Sequence, residues 1–267
     1  MAYQNIFIDS TSDEQTVYIW DDAQGLITLP LSDFNYAYVR DPKGKYISMT
    51  GERLSKTRRF IRGNPNVFES DLPKETRVLT DLYLNEDTSS EGNITLFFDI
   101  EVSMENGIPN TENPNNEITS IALYDPLVKK YEVFVLDKRQ LYTDRESDEA
   151  TVHFCADEVD LLHKFINSYE QICPTIISGW NSNGFDVPYL YNRIRQVCGK
   201  GTANRLSPIG RVKYSERMER YKIAGVSSLD YLDLYKKFTY TQQPNYRLDT
   251  IGGLDVGMGK VDYEGSL

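Results

Sequence analysis

The run Ile94-Thr95-Leu96-Phe97-Phe98-Asp99-Ile100-Glu101-Val102 sets two carboxylates inside an apolar segment. Nearly every neighbour is β-branched or aromatic, so the stretch reads as a strand buried on both faces of a sheet, and alternation puts positions 99 and 101 on one side. Two like charges then share one small volume. Burial and mutual repulsion favour a retained proton on one of them unless a cation balances the pair, and magnesium or manganese is the usual hard partner of carboxylate oxygen. Asp-x-Glu on a core strand is thus a candidate metal site. An edge strand with one wet face carries the same pattern, and the triplet alone does not separate the two.

Outward from this strand, Glu105 to Asn116 is rich in turn residues, and Ile118 to Tyr124 and Tyr131 to Leu136 read as strands of a hairpin turning through Asp125-Pro126. Asp157 to Gln171 has apolar residues at helical spacing (Val159, Leu162, Phe165, Ile166, Tyr169), acids in its first turn and Pro174 beyond its end. Thr175 to Trp180 is a short strand, Val187 to Val197 a helix, Gly225 to Leu229 a strand and Tyr231 to Phe238 a helix. The order β-β-β-α-β-α-β-α predicts a three-layer α/β domain with a mixed sheet. Before it, Tyr3 to Tyr83 shows short alternating segments (Ile6 to Ile8, Val17 to Trp20, Tyr36 to Val39, Tyr46 to Met49), which predict a small β-rich domain. The polar segment Asn85 to Asn93 reads as the linker. Domains over 1–90 and 91–267 follow.

Of the 267 residues, 40% are hydrophobic and 26% charged, enough apolar material for a packed core. Cys155, Cys173 and Cys198 form no Cys-x-x-Cys pair, so neither a disulfide framework nor a structural zinc site is suggested, and a reducing cytoplasmic setting fits. Met1-Ala2-Tyr3-Gln4-Asn5 opens no basic-then-apolar signal, and no stretch approaches the roughly 18 apolar residues of a membrane span. No membrane partner is expected. A net charge of −11 argues against coating nucleic acid by bulk electrostatics. Local grip remains open: Arg40, Lys43, Lys45, Arg53, Lys56, Arg58, Arg59 and Arg62 face only Asp41 and Glu52 in the most basic stretch of the chain. A solvated face has the same composition.

A second acid stands in Asn181-Ser182-Asn183-Gly184-Phe185-Asp186, where a strand ends, small and amide residues turn the chain and Asp186 opens a helix. Ligands bind at that edge of open α/β sheets, and an Asp there is equally suited to capping the helix. Phe97-Phe98-Asp99-Ile100-Glu101-Val102 and Asn181-x-x-x-Phe185-Asp186 resemble the first two exonuclease motifs of family B DNA polymerases. Leu206 to Lys213 and Gly225 to Phe238 resemble the tailed-phage replicative branch of that family, and Asp41-Pro42-Lys43-Gly44 with Gly51-Glu52 is similar, more loosely, to its amino-terminal domain. The resemblance implies a ribonuclease H-like (DnaQ-like) exonuclease fold. It implies that Asp99 and Glu101 coordinate two Mg2+ or Mn2+ ions, Asp99 bridging them with Asp186 in support. Asn181 and Phe185 would hold the terminal nucleotides of a single-stranded DNA 3′ end, hydrolysed at its last phosphodiester. Ile108, beside Pro109, stands where relatives place an aromatic wedge. The segment Tyr214 to Ala224 is a shortened, charged form of their β-hairpin.

The family's third motif, Tyr-x-x-x-Asp, is missing: no Tyr after Asp186 has an Asp four residues on, and His153 and His163 both precede Asp186. The resemblance stops at Val261-Asp262-Tyr263-Glu264-Gly265. The expectation is a truncated chain holding the amino-terminal domain and most of the exonuclease domain, an incomplete two-metal site and no polymerase activity, with the polymerase portion as a possible separate partner chain. From a different class, the chain would be a non-catalytic module that binds nucleic acid, primer-template DNA included, or completes a split polymerase, through the Arg40 to Arg62 surface that carries Arg58 and Arg59.

Overall fold

Along the strand Thr95–Val102, Leu96, Phe98 and Ile100 are buried, whereas Phe97, Asp99 and Glu101 are exposed. The expectation of burial on both faces is therefore corrected: the strand has one dry and one wet face. The apolar run concealed this because Phe97 lies on the wet side, where its ring meets that of Tyr124 at 6.4 Å instead of packing under a helix. Tyr124 in turn meets Tyr131 at 4.6 Å, so aromatic side chains clothe the open face from strand to strand.

The computed structural model describes residues 2–11, 14–86 and 88–259, which divide into two compact units between Gly92 and Asn93. In the first unit, β1 (Tyr3–Asp9), β2 (Thr16–Asp21) and β3 (Gly25–Pro30) form an antiparallel meander. A second sheet contains β4 (Ala37–Arg40), β5 (Tyr46–Ile47), β6 (Arg53–Thr57) and β7 (Val67–Phe68) in the order β5-β6-β4-β7. The helix α1 (Lys74–Tyr83) was not anticipated in this β-rich stretch. It starts after Pro73 and buries Val78 with Val17, Ile19 and Leu31, and its Tyr83 hydroxyl donates to Asp21 Oδ2 at 2.8 Å.

The second unit continues with β8 (Thr95–Val102), β9 (Ile118–Asp125), β10 (Lys130–Leu136), β11 (Arg145–Glu146), β12 (Ala150–Cys155) and α2 (Glu158–Ile172). Then follow β13 (Ile176–Ser178), α3 (Asp186–Val197), α4 (Lys200–Asn204), β14 (Val212–Ser215), β15 (Arg220–Ile223), β16 (Ser227–Ser228), α5 (Tyr231–Phe238) and α6 (Leu248–Asp255). The main sheet is seven-stranded and mixed, in the order β11-β12-β10-β9-β8-β13-β16. The hairpin expected through Asp125-Pro126 forms as the antiparallel pair β9 and β10, while β8, β13 and β16 run parallel. Asp157 caps α2 by accepting the Asp160 N–H at 2.8 Å. Helices α2 and α3 bury Leu162, Phe165, Ile166, Val187, Leu190 and Ile194 in one cluster with Leu96, Phe98 and Ile100. The second helical layer of a three-layer architecture does not cover Asp99 and Glu101 among the described residues, which leave both exposed.

A buried ion pair joins these layers. Arg193 on α3 donates from Nε and Nη2 to Glu158 Oε1 and Oε2 of α2 at 2.8 and 2.6 Å, and from Nη1 to the Pro114 carbonyl at 2.8 Å. Glu158 Oε1 also accepts the Ile118 N–H that opens β9, at 2.8 Å. Both side chains are under a tenth exposed, so removing one strands the other's charge in a dry interior. Arg193→Met is expected to lower unfolding stability by about 3–5 kcal/mol, read as a shift in urea midpoint at unchanged slope.

Candidate metal and nucleotide site

Between β13 and α3 the chain turns through Gly179 to Phe185 in a conformation that few residues permit. A Cβ on Gly179 would lie 2.8 Å from the Phe98 carbonyl oxygen, so glycine lets this turn lie against β8. Asn181 takes a left-handed φ of 64°, which Asn tolerates better than most L-residues. Its side chain lies against Gly184, where a Cβ would come within 2.7 Å of Asn181 Oδ1.

Asp186 is the first residue of α3, but it does not cap the helix: Phe185 occupies the cap position and no side chain caps that end. Asp186 Oδ1 instead accepts the Ile100 N–H at 3.2 Å, which fastens the start of α3 to β8 between the two acids of the Asp-x-Glu. Asp186 is only 4% exposed. Burial first, and then the charge of Asp99, push its carboxyl up from 3.8 to about 7, against the lowering effect of the Ile100 N–H. Asp99 and Asp186 are therefore electrostatically coupled, one on the wet face of β8 and the other desolvated behind it. Glu101 shares the exposed face of Asp99. Among the described residues, no three His, Cys, Asp or Glu side chains stand close enough together to hold one ion. The chemistry of the coupled pair fits a hard divalent cation, since its donors are carboxylate oxygens and one is buried at the cost of its charge. Asp99 and Asp186 would hold such an ion, with Glu101 beside them.

The remaining predicted positions scatter. Phe185 is half-buried, its ring 5.4 Å from and nearly parallel to that of Tyr189. Ile108 is 87% exposed in the loop before β9. That loop is tied to α3, because the Tyr189 hydroxyl donates to the Asn116 carbonyl at 2.7 Å and Asn192 Nδ2 donates to the Thr111 carbonyl at 2.8 Å. Asn192 Oδ1 accepts the Tyr221 hydroxyl of β15 at 2.8 Å, so one amide links the loop and the short hairpin β14–β15. Arg58 and Arg59 follow β6 in the first unit and are exposed. Sequence reasoning missed Asp230 as a separate site residue. It is buried, caps α5, and accepts backbone N–H groups of Asn181 and Asn183. The signal was an Asp just before a helical apolar pattern, which predicts a cap but not its second partner.

With this arrangement of acids on a mixed sheet, the family model for DNA polymerase family B, exonuclease domain, matches residues 64–251. The chain belongs to that family. It is 35% identical over 197 residues to the DNA-directed DNA polymerase of Escherichia phage RB69, a match over 64% of this chain and 22% of that protein. Against the DNA-directed DNA polymerase of Enterobacteria phage T4 the identity is 45% over 117 residues, 41% of this chain and 13% of the relative. The DNA polymerase catalytic subunit of Equine herpesvirus 2 is 29% identical over 180 residues, 62% of this chain and 18% of the relative. The matches thus span about a fifth or less of the relatives' length. Within the family B exonuclease region lie Asp99, Glu101, Ile108, Asn181, Phe185 and Asp186, whereas Arg58 and Arg59 precede it. No helix among the described residues is long and apolar enough to cross a membrane.

The raised Asp186 carboxyl has a consequence for this exonuclease domain. When folded it keeps its proton to about 7, whereas the unfolded carboxyl releases it near 3.8, so metal-free stability falls as pH rises between those values. Asp186→Asn keeps an oxygen for the Ile100 N–H and removes the charge. In chelator at pH 8 this variant is expected to be about 2–4 kcal/mol more stable than the parent, and the difference should vanish below about pH 4. Thermal unfolding across that pH range checks it.

Proposed function

We propose that this chain is the amino-terminal and editing portion of a phage-type DNA-directed DNA polymerase, acting on the 3′ end of single-stranded DNA. The observation that carries this reading is the Asp186 carboxylate, desolvated, coupled to Asp99 and bonded to the backbone between Asp99 and Glu101. On this reading the second unit is a ribonuclease H-like exonuclease domain and residues 1–90 correspond to the family's amino-terminal domain. Two divalent cations bound at such a site supply an activated water and stabilise the departing 3′ oxygen. Asp99, Glu101 and Asp186 would hold them. The exposed Asn181 amide and the accessible edge of Phe185 would position the terminal nucleotide without reading its base, as editing requires. Ile108 would offer a weaker wedge than an aromatic ring.

The host cytoplasm is where such a phage enzyme would work. A second reading, nucleic-acid binding without catalysis, is favoured by the exposed Arg58 and Arg59 and by the lack of a three-ligand group among the described residues.

The two readings part on a 5′-labelled single-stranded oligonucleotide in magnesium and then manganese. Slow laddering from the 3′ end is expected in manganese, falling by on the order of a hundredfold or more in Asp99→Ala. Undiminished cleavage in that variant overturns the assignment of the acids. Salt-sensitive binding that survives Asp99→Ala and disappears in Arg58→Gln/Arg59→Gln supports the second reading.

A further inference from the structure

The junction of β16 and α5 runs alongside the loop that carries Asn181, Phe185 and Asp186, bonded to it at successive residues. The Leu229 N–H donates to the Ile177 carbonyl at 2.9 Å, Ser178 Oγ to the Leu229 carbonyl at 2.7 Å, and the Tyr231 N–H to the Gly179 carbonyl at 2.9 Å. Ser228 Oγ donates to Asn183 Oδ1 at 2.6 Å. Asp230 lies at the centre of this seam and is 4% exposed. Its Oδ1 accepts the N–H groups of Asn181 at 3.0 Å and Leu232 at 2.9 Å, and its Oδ2 accepts the Asn183 N–H at 2.9 Å.

Capping alone does not require this residue. The Leu232 N–H would be satisfied by Ser, Thr or Asn as well as by Asp. Only a carboxylate accepts in two directions at this length: Asn would turn an NH2 towards the Asn183 N–H, and Ser has one oxygen on a shorter arm. The choice of Asp is thus dictated by the loop. The loop's internal bonds, from the Gly184 and Phe185 N–H groups to the Asn181 carbonyl, leave the N–H groups of Asn181 and Asn183 to Asp230, while the buried Ser182 Oγ and Asn183 Nδ2 have no hydrogen-bond partner among the described residues. Its Asn181 also sits at positive φ, so its N–H is aimed by a backbone turn that Asn adopts readily and Asp230 meets.

We propose that Asp230 is a positioning residue of the exonuclease site: its grip on the Asn181 and Asn183 backbone shapes the loop that presents Asn181 and seats Asp186 near Asp99. This rests on the metal-dependent reading above. Asp230 is not itself placed as a ligand, because both of its carboxylate oxygens are taken up by three backbone N–H groups, whereas Asp186 has only Oδ1 so engaged.

The test uses the full chain with Asp230→Ser, which keeps a cap for α5, and Asp230→Asn, which keeps Oδ1 and replaces the acceptor of the Asn183 N–H by an NH2. Manganese affinity is read from the electron paramagnetic resonance of free Mn2+, and amide hydrogen exchange is followed over 179–190 and over α5. Expected are Mn2+ binding by the parent that Asp99→Ala removes, an affinity about tenfold weaker in both Asp230 variants, and about tenfold faster exchange at Asn181 and Asn183 in Asp230→Ser with α5 still protected. Parent-like affinity in the variants, or unchanged exchange at the two Asn amides, overturns the role of Asp230 while leaving the proposed function in place. Absence of Asp99-dependent Mn2+ binding in the parent overturns the metal reading and this inference with it. If Asp230→Ser unfolds, Asp230→Asn decides by the same affinity criterion, and unfolding of both assigns Asp230 to folding alone.

Discussion

One hydrogen bond between backbone and side chain, from Ile100 N–H to Asp186 Oδ1, fixes the geometry on which the site depends. It can form only because β13 runs parallel to β8, so that the chain leaving β13 turns over the carboxyl end of the sheet and begins α3 beside the middle of β8. The bond costs the protein a desolvated carboxylate next to another acid. An unpaired charge in such a place is tolerated only when it is neutralised by a proton or a cation. Local architecture and chemistry are therefore the same fact here: the fold that brings the helix to the strand also creates the demand for a counter-charge.

Much of this unit was legible in the sequence because its signals are local. Helical spacing marked α2, although Asp157, counted there in the helix, proves to be its cap, and α5 spans the residues its pattern indicates. The β9–β10 hairpin declared itself through Asp125-Pro126. The strand β12 was hidden by its setting, since Ala150 to Cys155 is apolar but lies within the acidic stretch from Asp144 to Asp160, where composition outweighed pattern. The helix α1 was masked in the same way by the strands around it. The wet face of β8 was not legible because Phe97, exposed yet aromatic, extends the apolar run.

The acids of the site were visible as residue types, but their relation was not. Spacing along the chain placed Asp99 and Glu101 on one face, and a turn followed by a helix placed Asp186 at a sheet edge. That Asp186 would forgo the cap position and reach the Ile100 N–H depends on the parallel pairing of β8 with β13, a contact between residues 86 positions apart. Asp230 was harder still, being indistinguishable in sequence from an ordinary cap until its second oxygen is followed to Asn183. Membership of the family B exonuclease domain supplies a frame for the matched region, but it does not say which hydrogen bonds hold the loop in this chain.

The amide of Asn192 has its donor committed to Thr111 and its acceptor to Tyr221. An Asp at this position would lose the donor, and a Leu would lose both. Helix α3 therefore acts as a strut between two surface segments that are far apart in the chain, with Asp186 at one end of the same rigid rod. The tips of those segments, near Ile108 and Met218, can diversify in length and composition without disturbing it. Their footings on α3 differ: the hairpin brings a side chain, Tyr221, whereas the loop before β9 offers the Thr111 backbone carbonyl, so an exchange of the hairpin has to carry its tyrosine with it while residue 111 is free to change.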